Sequence, residues 1–565
     1  MQNLKFKQLL VLSNSSNSAN QFTFSETLNL ITAMDNSVGK TTLVKLLFWG
    51  LGCEPDFDVN WTSTDCQTIV DFNIDERIYS VKRYKNQISL KENDSPYTDY
   101  AKITGEYSVK MAEIMGFKAL LPNRSTGALE TPPPAYYFLP FYIDQKRSWA
   151  TAWNNFESLE QYASWKSTII KYHVGLLTPA HFDLESDKAV KKEIKKDIEV
   201  QITKINTALE VVDNYIPKFI NTTINNEKLE SFTAEIKVDL KNLQQTQEYL
   251  LDELAQLNGD HVYLEQQKLI TEKIIFELNN DYKFTIENVE NDEIECPLCG
   301  IIHENSIVNR ASIITDKTQA ENQLEAIDKE LGKLKKKLFK NNDSLATAKS
   351  KINEINDKYI IEEEGEKMDF SQIIETIAGN KIKENVITDK TNKLGNIIDL
   401  DGSIKLITKD QKSLLTKEDI QEINDSFNFI FGRFIKLLDA EAVNLSEINS
   451  PLDYKKVIKA GGAAEGARAI LAYYLSIFTM VEKFGNEVIS PLVIDTPNQQ
   501  EQSHSNYEKI VDILTNKISK KSQIILCAMN NEHLKPFEKT AKIISLDNNK
   551  ILDKSKYKEV KKYFE

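Results

Sequence analysis

The sequence predicts an α/β protein with a split head, its two halves at opposite ends of the chain and a long antiparallel coiled-coil hairpin between them. Three observations lead there. The stretch ITAMDNSVGKTTLVKLLFWGLG, residues 31–52, reads as an apolar strand, a tight loop ending in Gly-Lys-Thr-Thr, and an apolar helix. In PLVIDTPNQQ, four apolar residues deliver Asp495 to a strand end. Between these two stretches, leucines recur at alternating spacings of four and three.

The totals agree with a multi-part protein. At 565 residues the chain exceeds one ordinary domain, and 41% hydrophobic content with only 14 prolines suffices for sizeable cores. No run of about 18 apolar residues occurs. The start MQNLKFKQLLVLSNSSNS lacks the charged, apolar and small-residue layout of an export signal, so a cytoplasmic protein with no membrane contact is expected. Five cysteines in so long a chain cannot build a disulfide framework. Cys296 and Cys299 form a C-x-x-C pair suited to metal or redox chemistry, whereas Cys53, Cys66 and Cys527 read as core residues. A net charge of −14 excludes a surface coated for nucleic acid, so any DNA contact is local.

Residues 1–183 make the N-terminal half of the head. LLVLS, LNLITA, TIVDFNI, RIYSVKRY and YYFLPFYID read as strands, one helix follows Lys40, and SNSSNSAN at 13–20 reads as a polar loop. Residues 184–414 make the hairpin. Ile236, Leu240, Leu243, Gln247, Leu250, Leu254, Leu257, His261 and Leu264 define one seam. Leu324, Ile327, Leu331, Leu334, Leu338, Asn341, Leu345, Ala348, Ile352, Ile355 and Tyr359 define a second, which at 1.5 Å per residue spans roughly 50 Å. Asn341 at a seam position weakens packing but can fix register, and Pro217 interrupts the first arm. The short turn NDEIECPLCGIIHENS joins the arms, which places it at the far tip. Residues 361–414 read as less regular. In 415–565 apolar density returns with INDSFNFIFGRFIKLL, GARAILAYYLSIFTMVEKFG and the strands VISPLVIDTP and SQIILCAM. The first half has a phosphate loop without an acidic metal-binding strand, and the second half has the reverse, so the two are expected to assemble.

A phosphate loop holds phosphate oxygens with backbone N–H groups and a helix N-terminus. Lys40 adds a point charge and the Thr41 hydroxyl binds magnesium. Gly39 leaves room for phosphate, and Asn36 tolerates the left-handed backbone of a tight loop. The pattern G-x-x-x-x-G-K-[ST] would put its first glycine where Met34 stands, which marks a divergent loop. Asp495 would complete the magnesium site. The competing readings are a chance GKTT and a buried strand that ends in a capping aspartate before a proline.

The order of phosphate loop, PFYIDQ, coiled-coil hairpin, AGGAAEGARAILAYYL and VIDTP resembles the ABC-type heads (P-loop NTPases) of the structural-maintenance-of-chromosomes (SMC) family and of the zinc-hook DNA-repair ATPases. The resemblance implies that Asn36, Ser37, Val38, Gly39, Lys40, Thr41 and Thr42 surround the nucleotide, and that Gln145 senses the γ-phosphate and metal. It also implies that Gly461 and Gly462 contact ATP bound to a second subunit, hence a head-to-head homodimer. Several positions depart from the family pattern. Ala460 replaces the signature serine, or Ala464 does in the register through Glu465 and Gly466. Thr496 stands where the family has the glutamate that activates water; Gln499, Gln500 or Glu501 could substitute. Met529 or Asn530 stands in place of the family histidine, and His533 lies one helical turn further. These losses weaken catalysis more than binding, since Lys40, Thr41 and Asp495 can still hold Mg-ATP.

The spacing of Cys296 and Cys299 in CPLCG is that of one zinc knuckle. Zinc takes four ligands, so the resemblance implies a matching pair from a second molecule. His303 joining in cis, or two unligated thiols in a helical turn, are the alternatives. KAVKKEIKK near 188 and KLKKKLFK near 333 could touch phosphates, though solvated faces of coiled coils look the same. The chain is similar to the compact SMC-like ATPase subunits of Lamassu-type bacterial anti-phage defence systems. That similarity implies DNA as a partner, a separate effector nuclease and accessory subunits. A nucleotide-bound scaffold that does not hydrolyse, or an ATPase controlling an RNA-targeting toxin, are the competing functions.

Overall fold

The computed structural model describes residues 2–34, 38–58, 61, 65–215, 234–287, 293–295, 302–304, 307–356, 361–363, 366–368, 370–457, 462–497, 502–546 and 551–565. Its contacts fall into two compact units, residues 1–189 with 406–565, and residues 190–405.

The first unit opens with strands β1 (Leu4–Ser13) and β2 (Ser18–Thr23), paired antiparallel. The expected polar loop at 13–20 is therefore a hairpin turn, with Asn17 at φ 49°. Strand β3 (Leu28–Ala33) leaves for a different sheet and leads into helix α1 (Lys40–Gly50). Strands β4 (Cys66–Ile74), β5 (Arg77–Tyr84), β6 (Gln87–Glu92) and β7 (Thr98–Tyr100) complete a six-stranded antiparallel sheet in the order β2-β1-β4-β5-β6-β7. The stretch YYFLPFYID corrects the strand expected there. Pro134–Phe138 is helical, Leu139–Phe141 is a 3-10 turn, and only β8 (Tyr142–Ile143) is extended. Pro134 at the first helical position presets φ and starts the helix. Its aromatic side chains fill the core instead of a pleated surface; Phe138 meets Phe48 edge-on at 5.4 Å.

Four long helices dominate the middle of the chain: α2 (Pro179–Tyr215), α3 (Ala234–Glu287), α4 (Ile307–Asn356) and α5 (Phe370–Ser413). Helix α5 corrects the less regular reading of 361–414. It escapes a leucine count because it meets α2 through polar pairs, Lys195 with Asp401 and Lys393 with Gln201, both at 2.7 Å. Helices α3 and α4 run antiparallel, as Asn341 to Glu253 and Lys268 to Asp328 show, both at 2.8 Å. Leu250, Leu251, Leu254, Leu345 and Ala348 form one buried cluster, with Leu338 and Val386 against it. Within this unit α2 crosses α3 closely. A Cβ on Gly259 would lie 3.2 Å from the Lys204 carbonyl oxygen, and the Lys204 ammonium binds Asp260. The basic clusters are partly neutralised, Lys333 by Glu330 and Lys188 by Glu185. Strands Glu293–Glu295 and Ile302–Glu304 pair antiparallel, the latter containing His303. Cys296, Cys299 and Pro217 lie outside the described residues.

The chain returns to the first unit through α6 (Lys417–Leu437), which opens on a Thr416–Asp419 capping box, and α7 (Ala463–Phe484). Then come β9 (Leu492–Asp495), α8 (His504–Asn516), β10 (Ile524–Met529) and β11 (Lys542–Leu546). The second sheet is parallel throughout, in the order β8-β9-β10-β3-β11. Strand β3, from near residue 30, thus lies between two strands from beyond residue 520, and neither end of the chain contains this sheet alone. Apolar runs such as LVID and IILCA are buried along their length, as parallel strands covered on both faces require. No helix among the described residues is long and apolar enough to cross a membrane.

Candidate nucleotide and magnesium site

Open parallel sheets bind ligands beyond the carboxyl ends of their strands. Here β3, β10 and β9 end side by side, with Ala33 opposite Met529 and Asp495 opposite Cys527. Gly39 precedes α1 at φ 107°, a left-handed angle open to glycine. A Cβ there would come within 2.7 Å of Ile551 Cγ1. The glycine is therefore demanded by a buried residue from the far end of the chain, besides any room that phosphate needs.

Lys40 and Thr41 open α1, as the motif requires. The Thr41 hydroxyl donates to Gln145 Oε1 at 3.1 Å, across 104 residues. Gln145 follows β8 and precedes a short helix, Arg147–Ala150. Asp144, buried, accepts from the Lys146 and Arg147 N–H groups at 3.1 Å and from Ser148 N–H at 2.5 Å. These bonds lock the loop that carries Gln145. The Trp149 indole N–H donates to the Asp495 carbonyl oxygen at 3.2 Å and ties the same loop to β9.

Asp495 is fully buried, and burial pushes its carboxyl from 3.8 up to about 6. The Thr41 and Thr496 hydroxyls and the Lys45 charge pull the other way, while Asp144 pushes it further up. The Thr496 hydroxyl donates to Oδ1 at 3.1 Å, whereas Oδ2 is buried with no hydrogen-bond partner. A buried, unpartnered carboxylate oxygen beside hydroxyl and amide oxygens is a donor set for a hard dication, and magnesium fits it. Thr496 itself sits at φ 57°, which a β-branched residue adopts only when its surroundings impose it.

The described residues place the other candidates as follows. Val38 is buried and Thr42 half-buried at the start of α1. Gly462 is the N-cap residue of α7, and a Cβ on Gly462 or Gly466 would meet open space. Ala464 and Glu465 open α7, and Glu465 accepts from the Ala442 N–H at 2.7 Å. Met529 ends β10 partly exposed, while Asn530 donates to Met34 Sδ at 3.4 Å. Asn36, Ser37, Ala460, Gly461, Gln499, Gln500 and Glu501 lie outside the described residues.

Sequence reading missed Lys45, Asp144, Tyr142 and Trp149. Lys45 is buried on α1, its ammonium bound to the Asp56 carbonyl. A lysine in a helix reads as surface, so nothing announced it. The Tyr142 hydroxyl is buried without a hydrogen-bond partner, next to Asp495 and Asp144. The Asp144 carboxylate accepting from N–H groups two to four residues on is an Asx-type turn, which an aspartate followed by Ser148 could have marked. Arg468, also missed, joins three elements: its guanidinium donates to the Leu438 and Asp439 carbonyls at 2.7 and 2.8 Å and to Gln502 Oε1 at 2.6 Å.

Comparison with known proteins gives the following. No family model matches the sequence. The chain is homologous to Lamassu protein LmuB of Bacillus cereus (strain VD014), 24% identical over 575 aligned residues that cover 97% of this chain and 95% of the relative. A second Lamassu protein LmuB, from Bacillus sp. (strain NCIM 5461 / CCTCC AB 2011126 / NIO-1130), is 22% identical over 96% of each chain. Among solved structures, an Smc head domain with a coiled coil and joint derived from Pyrococcus yayanosii aligns over the full length of both chains, at 12% identity and a TM-score of 0.40.

Proposed function

We propose that this homologue of Lamassu protein LmuB is an SMC-like ATPase subunit of an anti-phage defence system. It binds Mg-ATP at the carboxyl edge of the parallel sheet, and two heads close around two nucleotides. The arms then report to DNA and to a separately encoded effector nuclease with accessory subunits. The observation that carries this reading is the gathering of Thr41, Gln145 and Asp495, from three distant parts of the chain, around a buried carboxylate oxygen with no partner.

In this reading Lys40 and the loop N–H groups hold the phosphates, while Thr41, Gln145 and Asp495 hold magnesium. When bound, magnesium neutralises phosphate charge. The chain's own part is to favour the ionised Asp495 carboxylate, against the cost of its burial, with the Thr41 and Thr496 hydroxyls and the Lys45 charge, and to hold Gln145 through the Asp144 turn. Gly462, with open space above it, suits a nucleotide from a second head. The paired strands on either side of the CPLCG turn support a tip where Cys296 and Cys299 share zinc with a second copy.

The test is ATP turnover with and without linear duplex DNA, for the wild type and Lys40→Ala. DNA-stimulated turnover that vanishes in Lys40→Ala is expected. A second reading, a nucleotide-bound scaffold, draws on Thr496 at the place of a water-activating glutamate. ATP binding with no turnover in the wild type would favour it.

A further inference from the structure

Outside the nucleotide site, two imidazoles face each other beyond the ends of β9 and β10. His504 opens α8, and His533 lies in the turn after β10. His504 Nδ1 and His533 Nε2 are 2.7 Å apart, with ring centroids separated by 4.8 Å. The other nitrogen of His533, Nδ1, lies 3.0 Å from Glu508 Oε1. A carboxylate only accepts, so His533 Nδ1 carries the proton and its Nε2 lone pair points at His504. Glu508 stands four residues after His504 on α8, which places both on one helix face. The His533 backbone N–H is held by Asn531 Oδ1 at 3.0 Å, which fixes the turn that carries the ring.

We infer that His504 and His533 form a binding site for a borderline divalent cation of the zinc class, with Glu508 as the carboxylate that orients His533. This inference stands apart from the ATPase reading. In the metal-free pair one proton is shared between two converging lone pairs. A zinc ion in its place sits about 2.0–2.1 Å from each nitrogen, which at tetrahedral angles needs the nitrogens roughly 3.3 Å apart. Exposed His504 can supply that half-ångström opening. A carboxylate behind a ligating imidazole fixes its tautomer and raises its basicity. Imidazole pairs select zinc, nickel and copper over magnesium, so this site does not compete with the oxygen donors around Asp495. Among the described residues no three His, Cys, Asp or Glu side chains converge on a metal position, so the two imidazoles are the ligands that these residues supply. Occupancy would clamp the start of α8 to the turn after β10.

The experiment is a Zn2+ titration by calorimetry of the full chain carrying Cys296→Ser and Cys299→Ser, with Mg2+ in excess. One zinc equivalent is expected, lost in His504→Ala and in His533→Ala and bound about 10–100-fold more weakly in Glu508→Gln. His504 is exposed, so its variant should melt at the parent's temperature without metal. The Cu2+-loaded parent should show electron-spin coupling to two imidazole nitrogens, and His504→Ala to one. Zinc binding that is equal in His504→Ala, or no zinc equivalent in the parent, would overturn the inference.

Discussion

The parallel sheet of the head and the paired helices α3 and α4 both join distant stretches of chain, yet by different means. Strand β3 is buried between β10 and β11, and α1 covers it with fully buried Leu43, Val44, Leu47 and Phe48. Helices α3 and α4 share a narrow leucine stripe, and much of the rest of their surface is exposed, including Tyr249, Leu269 and Phe339. A thick core excludes water and can hold a carboxylate above its ordinary pKa; a stripe cannot. The raised carboxyl of Asp495 accordingly lies in the unit that contains the parallel sheet, where its burial is complete.

This contrast can be broken most directly at Asp495. If the proposed function holds, Asp495→Asn should lower ATP turnover at least about 100-fold, because the carboxylate oxygen proposed to hold magnesium is lost. Its melting temperature without magnesium should hold or rise, since a buried carboxyl whose Oδ2 has no hydrogen-bond partner gives way to a neutral amide. A steep loss of stability with turnover intact would mean that the carboxylate serves the fold instead.

Phe48 packs against Phe138, Tyr142 and Phe156 at 4.5 to 5.7 Å. Phe48→Ala should cost about 3–5 kcal/mol in urea unfolding, and Leu254→Ala in the helix pair about 2 kcal/mol, because a narrow seam can collapse around the gap. Equal losses would remove the distinction between core and stripe. Asn341→Leu should act in the opposite direction. The Asn341 Oδ1 is buried without a partner, and the bond its amide donates to part-exposed Glu253 offsets only part of that cost, so the substitution should stabilise the pair by at most about 1 kcal/mol. It should also loosen register, as read by cysteine crosslinks across α3 and α4.

The smallest effect is pH. The folded Asp495 carboxyl titrates near 6, against 3.8 as its ordinary value. Between those values the folded state retains a proton that the unfolded state has released, so the stability contribution is fully present below about pH 4 and is lost as pH rises through about 6. Denaturant titrations without magnesium from pH 4 to 7 check the sign. Asp495→Asn should flatten this dependence.

The leucine seams were legible because heptad spacing is a local property. Leu250, Leu254, Leu257, Ile327, Leu331, Leu334, Leu345 and Ala348 are all buried. Helix α5 was not, since its partners are reached through Lys393 and Asp401, and polar residues at such spacing look like ordinary surface. The stretch YYFLPF misled through β-favouring aromatics, where Pro134 and the surrounding core favoured a helix. Lys40, Thr41 and Asp495 could be named as candidates from the residues beside them. Lys45 and Trp149 could not, because their roles depend on residues that the fold brings from elsewhere in the chain.

The sequence by itself determined the Gly-Lys-Thr-Thr run before an apolar helix, the apolar strand before Asp495, the heptad seams and the cysteine spacing. Each is a pattern of neighbours within a few turns of chain, and short-range periodicity and turn chemistry suffice to mark it. Only the tertiary structure decided that β3 lies between β10 and β11, that Ile551 closes on Gly39, and that Thr41 bonds Gln145 beside a buried Asp495. Those contacts span from 104 to more than 500 residues. They depend on how two apolar surfaces fit once water is excluded, and no local pattern encodes that fit.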